Sequence, residues 1–97
     1  MFRHIVLLTL TDDASPADRR AILDGLATLP GRIPTIRNYV VGTDAGINDG
    51  NADVVAVADF DDAEGYLVYR DADAHRQVIA EVIAPVLASR SAVQFEF

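Results

Sequence analysis

The 97-residue chain is 51% hydrophobic and 24% charged, which is typical of one folded domain spanning residues 1–97 and leaves no room for a second core. Eight Arg against fifteen Asp and Glu give a net charge of −7, which argues against nucleic-acid and anionic-membrane partners. The absence of Lys and Cys excludes Schiff-base lysines, disulfides and thiolate chemistry. No leader or membrane-length apolar segment is evident. We therefore expect a cytoplasmic protein, and the Ala-rich, Lys-free composition suggests a bacterial source.

The first half of the chain predicts a strand, a helix and a second strand. Residues 2–10 are rich in β-branched and large apolar side chains, which favours a strand. Ser15-Pro16-Ala17-Asp18 has the pattern of a helix start, and the helix carries apolar residues at helical spacing until Pro30-Gly31. A second strand is expected from Thr35 to Val41, ending at Gly42.

The second half predicts a loop, a strand, a broken helical region and a last strand. Residues 43–52 form a long polar loop with two glycines, which we expect to be mobile and to gate or border a pocket. Residues 53–60 read as a third strand, after which Asp61 or Asp62 should cap a short helix. A second helical stretch starts at Asp71 or Asp73 and should kink or end near Ala84, because Pro85 interrupts it. Residues 91–97 predict the last strand.

This element order, β-α-β-β-α-β, predicts an α+β fold of the ferredoxin-like type with a four-stranded antiparallel sheet. Two helices can cover only one face of such a sheet. The other face would carry Ile5, Leu7, Val55 and Val57, or else the alternate residues of the same strands. An exposed apolar surface of that size indicates an interface. We therefore expect a homodimer with sheet packed on sheet.

Three residues are candidates for proton chemistry: Tyr69, His75 and His4. Tyr69 and His75 flank a short polar bend that could bring a phenol and an imidazole to one cavity, where one polarises a carbonyl and the other accepts a proton. Plainer interpretations remain open, since His4 could be a core histidine, His75 a surface helix residue and Tyr69 a packing residue. The many Asp residues mostly occupy cap and turn positions, and no residues have the spacing typical of metal ligands. The sequence also has no phosphate-binding loop, and its Ser residues are not in positions typical of a nucleophile.

An ordered set of short motifs along nearly the whole chain resembles the stress-responsive α/β-barrel (Dabb) family. The motifs are Arg3-His4-Ile5-Val6-Leu7-Leu8, Ile33-Pro34-Thr35-Ile36, Val41-Gly42, Ala58-Asp59-Phe60-Asp61, the Tyr69 to His75 spacing, and Val93-Gln94-Phe95-Glu96. The resemblance implies a ferredoxin-like domain that dimerises face to face into an α/β barrel. One departure is Ala72-Asp73, where relatives commonly have His-Pro, and it adds a charge at the expected pocket mouth.

The resemblance also implies candidate activities. One branch, the plant polyketide cyclases, performs a cofactor-free aldol condensation with a Tyr and a His. By that likeness His75 would abstract an α-proton, Tyr69 would polarise the acceptor carbonyl and His4 would assist. The leading expectation is a protein that binds a small, largely apolar, polyketide-like or aromatic ligand between sheet and helices, without metal or other cofactor. Whether the protein is an enzyme stays open, because a structural or interaction stress protein and a cofactor-free monooxygenase are alternatives.

Overall fold

The computed structural model describes residues 1–97, which form a four-stranded antiparallel sheet with helices on one face. The strand order β2-β3-β1-β4 places the two strands with apolar residues on both sides at the centre of the sheet, which confirms the predicted ferredoxin-like arrangement. The elements are β1 (Phe2–Leu10), α1 (Pro16–Ala27), β2 (Asn38–Thr43), β3 (Val54–Phe60), α2 (Ala63–Asp71), α3 (Asp73–Val78) and β4 (Leu87–Glu96).

Two strands differ in extent from the predictions. The second strand starts at Asn38 rather than Thr35 and continues through Gly42 to Thr43. Residues 33–36 form a turn instead, in which the Thr35 hydroxyl donates to the Gly65 carbonyl at 2.9 Å. Gly42 stays in the sheet because it pairs with Val55. The last strand starts at Leu87, four residues before the predicted Ser91, because it pairs along the full length of β1.

Side-chain caps define the helix starts. The Ser15 hydroxyl accepts from the Asp18 amide while the Asp18 carboxylate accepts from the Ser15 amide, which is the predicted capping box. Asp62 caps α2 by accepting from the Gly65 amide at 2.8 Å. Each cap satisfies amide groups that the first helical turn leaves without partners.

The helical region before Pro85 loses its regular form earlier than predicted. Regular α-helix ends at Val78, a π-helical turn follows over Ile79–Ile83, and a 3₁₀ turn covers Ala84–Val86. Pro85 lacks the amide hydrogen that would continue the helical ladder, and the π turn widens the helix in front of it.

The two faces of the sheet differ sharply in burial. Between the sheet and the helices lies the core, which includes Leu8, Ile22, Leu26, Val54 and Phe60. The opposite face of the sheet, which we call the outer face, is apolar and is uncovered in one protomer. It carries Ile5, Leu7, Val40, Val55, Val57, Val93 and Phe95, of which Leu7, Val40, Val93 and Phe95 are 41–55% exposed.

One ion pair is set into this outer face. The Arg3 guanidinium donates two hydrogen bonds to Asp59, at 2.7 and 2.8 Å, and lies 4.5 Å from the centre of the Phe97 ring. The pKa of Asp59 is lowered, mainly by the hydrogen bond from Arg3.

No helix of the structure is long and apolar enough to cross a membrane.

Candidate functional site

A cavity of about 360 Å³ lies between the helix-facing side of the sheet and the helices, and it is partly open to solvent. Its volume falls within the range of about 300–1,000 Å³ that small-molecule sites occupy. Most of its lining is apolar, and a few polar groups converge on it. The lining residues are His4, Val6, Leu8, Leu26, Ala56, Tyr66, Tyr69, Arg70, His75, Ile79, Ile83, Leu87 and Arg90.

The structure brings Tyr69, His75 and His4 to this one cavity. His4 lies on β1 on the side that faces the helices, opposite Ala58 and Gln94 in the neighbouring strands. Tyr69 lies in the last turn of α2, and His75 lies in the first turn of α3. The extended backbone of Ala72 (ψ 136°) separates the two helices. The bend turns the chain so that the Tyr69 and His75 rings pack with their centres 4.2 Å apart.

His75 is held as a neutral imidazole with one free nitrogen. Its Nδ1 lies 3.1 Å from the Arg70 carbonyl oxygen, which can only accept, so Nδ1 carries the proton. Nε2 has no hydrogen-bond partner in the protein and is not sealed off from solvent. Burial lowers the pKa of His75, and the cations Arg90 and Arg76 lower it further, against the opposing effect of the Arg70 carbonyl. An unprotonated Nε2 at neutral pH is a proton acceptor.

His4 has the opposite tautomer. The Gln94 side-chain nitrogen lies 2.8 Å from His4 Nδ1 and donates to it, so the proton is on Nε2. His4 is only 4% exposed, and burial, then the charges of Arg90 and His75, lower its pKa to about 4. The cavity lining therefore includes an imidazole donor on β1, His4, and an imidazole acceptor on α3, His75.

The hydroxyl of Tyr69 is paired with a residue that sequence reasoning missed. Tyr39, on β2, lies with its hydroxyl 3.1 Å from that of Tyr69. Burial is the main cause that raises the pKa of both phenols, so both remain protonated. One shared hydrogen bond uses only one of the two hydroxyl hydrogens. When Tyr39 donates, Tyr69 keeps its own hydrogen for a ligand. In the sequence, only the alternation of Tyr39 with Val41 along β2 indicates that the Tyr39 side chain lies on the helix-facing side of the sheet.

The acidic residues around the bend do not enter the cavity lining. Asp71 is paired with Arg70 at 2.9 Å and lies 3.6 Å from Arg76. Asp73 is exposed and is not among the lining residues. Asp73 is not among the causes that shift the pKa of His75, and burial is the largest of those causes.

The polar loop between β2 and β3 is not part of this cavity, so the expectation that it borders the pocket was wrong. Asp44 closes the loop on itself by accepting from the Gly46 amide and the Asn51 side chain, both at 3.0 Å. The loop instead flanks a more open concavity of about 430 Å³ beside Leu7 and Val55 on the outer face. That concavity contains no imidazole or phenol. No group of three or more His, Asp or Glu side chains is arranged to hold a metal ion.

Comparison with known sequences decides the family. The sequence model of the stress responsive A/B barrel domain, Dabb, matches residues 2–97. This chain belongs to the Dabb family. No curated protein matches the sequence significantly.

Solved structures with a similar fold include two proteins of unknown function and one enzyme. A dimeric ferredoxin-like protein of unknown function from Thermobifida fusca YX is 41% identical, with a TM-score of 0.90 over 99% of this Dabb chain and 90% of the other. A dimeric protein of unknown function from Bacteroides fragilis NCTC 9343 is 26% identical, with a TM-score of 0.85 over 99% and 95%. The hydroxynitrile lyase from Passiflora edulis is 16% identical, with a TM-score of 0.82 over 97% and 90%, a likeness that shows the fold alone.

Proposed function

We propose that this Dabb protein binds a small carbonyl compound with an apolar body in the cavity and catalyses proton transfer at its α-carbon, as in an aldol-type cyclisation. The observation that carries the proposal is the free Nε2 of a neutral His75 beside Tyr69, in a cavity that His4 also lines. Because the pKa of His75 is lowered, its imidazole is unprotonated at neutral pH and can accept a proton directly.

Each residue has a distinct role in this proposal. His75 Nε2 accepts the α-proton, so that the C–H bond breaks, an N–H bond forms and the electron pair becomes an enolate. Hydrogen bonds from Tyr69 and His4 stabilise the oxygen on which negative charge develops. In a cyclisation, the enolate carbon attacks a second carbonyl of the same chain, and imidazolium His75 returns its proton to the new alkoxide. The chemistry requires no group beyond these side chains.

Solvent deuterium exchange into a simple ketone tests the first step. Phenylacetone has an apolar ring and acidic α-protons, and NMR can follow their replacement in D₂O. We expect wild-type protein to accelerate exchange, and His75→Ala and Tyr69→Phe each to reduce the rate by about 10²–10⁴-fold. Gln77→Ala is the matched control, because Gln77 is an exposed residue of α3 that does not line the cavity.

Other outcomes would point to the alternatives. Equal exchange in wild type and both cavity variants would contradict the proposed chemistry. Saturable ligand binding without exchange would indicate a binding or interaction protein. Oxygen consumption that depends on an aromatic substrate would indicate a monooxygenase instead.

We further propose that the protein is a homodimer in which the two outer faces pack together. The support is the row of exposed apolar side chains on β1, β2 and β4, together with relatives at 41% and 26% identity that are described as dimeric. Packing these faces against each other would remove from water an apolar surface that monomeric soluble proteins rarely leave exposed.

A further inference from the structure

We infer that the ligand of the cavity carries a carboxylate, which Arg90 binds at the cavity mouth. This inference rests on the proposed function, because it names the class of compound that the same cavity takes. Arg90 lies on β4 opposite Leu8, on the side of the sheet that faces the helices, and it lines the cavity. It is exposed at the mouth and forms no ion pair or side-chain hydrogen bond in the protein.

The charge of Arg90 is unusual for its surroundings. The chain has fifteen Asp and Glu residues, yet none of them lines the cavity. The other cation of the lining, Arg70, is already neutralised by two hydrogen bonds to Asp71, at 2.9 and 3.1 Å. An acidic protein thus keeps one uncompensated cation at the mouth of its apolar cavity.

The charge of Arg90 also acts on the reactive groups. It is among the causes that lower the pKa of both His4 and His75, so its field reaches both sides of the cavity. An anion bound at Arg90 would cancel part of this field. Ligand binding should therefore raise the pKa values of both imidazoles toward their ordinary range.

The surroundings favour a carboxylate over a phosphate. A single planar guanidinium offers two parallel donors that match the two oxygens of a carboxylate. A phosphate with close to two negative charges would need further cations, and Arg70 is committed to Asp71. The apolar lining provided by Val6, Leu26, Ile79 and Ile83 accommodates the rest of the molecule. The ligand class is therefore an aryl or alkyl keto acid with one carboxylate.

A pair of probes that differ only in charge tests the inference. Calorimetric titration of the full chain with 4-phenylbutyrate and with its neutral amide measures the preference for the carboxylate. We expect the carboxylate to bind about tenfold more tightly at low salt, since a charge-assisted pair contributes about 1.4 kcal/mol or more. Arg90→Gln should abolish the preference. Arg20→Gln should preserve it, because Arg20 is another exposed, unpaired arginine but lies outside the cavity.

The inference is overturned if Arg90→Gln keeps the preference, if wild type binds both probes equally, or if it binds neither at millimolar concentration. Circular dichroism establishes that each variant is folded. Deuterium exchange into phenylacetone, which has no carboxylate, separates the two proposals. Exchange without a carboxylate preference removes only the role of Arg90. A preference that depends on Arg90, without exchange, removes only the proposed catalysis.

Discussion

At the residue scale, the two histidines differ in which ring nitrogen is free. A backbone carbonyl holds His75 with Nδ1 protonated, and an amide nitrogen holds His4 with Nδ1 unprotonated. The Gln94 amide donates to His4 and so opposes protonation of that ring, whereas the Arg70 carbonyl raises the pKa of His75 by less than burial lowers it. Neutral histidines with complementary tautomers are suited to passing a proton through a bound molecule.

The burial of His4 should make folding stability depend on pH. Its pKa is about 4 in the folded protein against about 6.5 in an unfolded chain. Below pH 6.5 the unfolded state binds a proton that the folded state does not, so stability is present above that pH and is lost as pH falls toward 4. By linkage, the loss due to His4 between pH 7 and pH 5 is about 2 kcal/mol.

Urea unfolding at pH 7 and pH 5, at one fixed protein concentration, measures this dependence. Between pH 7 and pH 5, His4→Gln should lose less free energy of unfolding than wild type, and the difference should equal the contribution of His4. His75→Gln is the matched comparison, because it removes the less strongly shifted imidazole. An identical loss in wild type and His4→Gln would mean that His4 is not buried as a neutral group.

At the scale of elements, the bend between α2 and α3 determines whether the site exists. Ala72 adopts φ −63° and ψ 136°, which is extended backbone between two helices. This conformation is the one preferred by a residue that precedes proline. Asp73 is then the first residue of α3, a position where proline fits because no helical hydrogen bond is lost.

Asp73→Pro should therefore stabilise the protein by about 0.4–1 kcal/mol, chiefly by restricting the unfolded chain. Urea unfolding measures the gain, and Asp73→Ala separates the effect of the ring from the loss of charge. If Asp73→Pro is less stable than wild type while Asp73→Ala has unchanged stability, the backbone of the bend does not have the conformation that accepts proline.

Sequence patterns predicted the order of elements and the limits of β1, but not the limits of β2 and β4. Alternation along β1 correctly assigned His4 and Leu8 to one face of the sheet and Ile5 and Leu7 to the other. This assignment depends only on neighbouring residues, because side chains in a strand alternate with a period of two. The limits of β2 and β4 depend on their partners, Val55 and Leu10, which are distant in sequence. Arg90, which lines the cavity, was missed for the same reason. So were Tyr39 and Gln94, which only tertiary packing brings into hydrogen-bond contact with Tyr69 and His4.

At the scale of the whole molecule, the proposed homodimer depends on the outer face. Leu7 and Leu67 are both 42% exposed in one protomer, but Leu7 lies on the outer face and Leu67 on α2. If the outer faces pack together, Leu7→Asp places a charge in the interface while Leu67→Asp leaves it in solvent. Burying an unpaired charge costs several kcal/mol.

Sedimentation equilibrium at micromolar concentration tests this assembly. Wild type and Leu67→Asp should sediment as dimers, and Leu7→Asp as a monomer or as unfolded protein. A stable, folded wild-type monomer would contradict the dimer whatever the variants do. The two leucines match in type and exposure, so a difference between the variants reports the position of the interface.

The most direct test of the account is long-range ¹H–¹⁵N NMR of the imidazole rings at pH 7, which reads the protonation of each nitrogen. His75 and His4 are the only histidines, and His4→Gln assigns their signals. We predict two neutral rings, His75 protonated on Nδ1 and His4 on Nε2. An imidazolium at either position, or a proton on Nε2 of His75, would contradict the claim that the cavity lining contains both a free imidazole base and an imidazole donor.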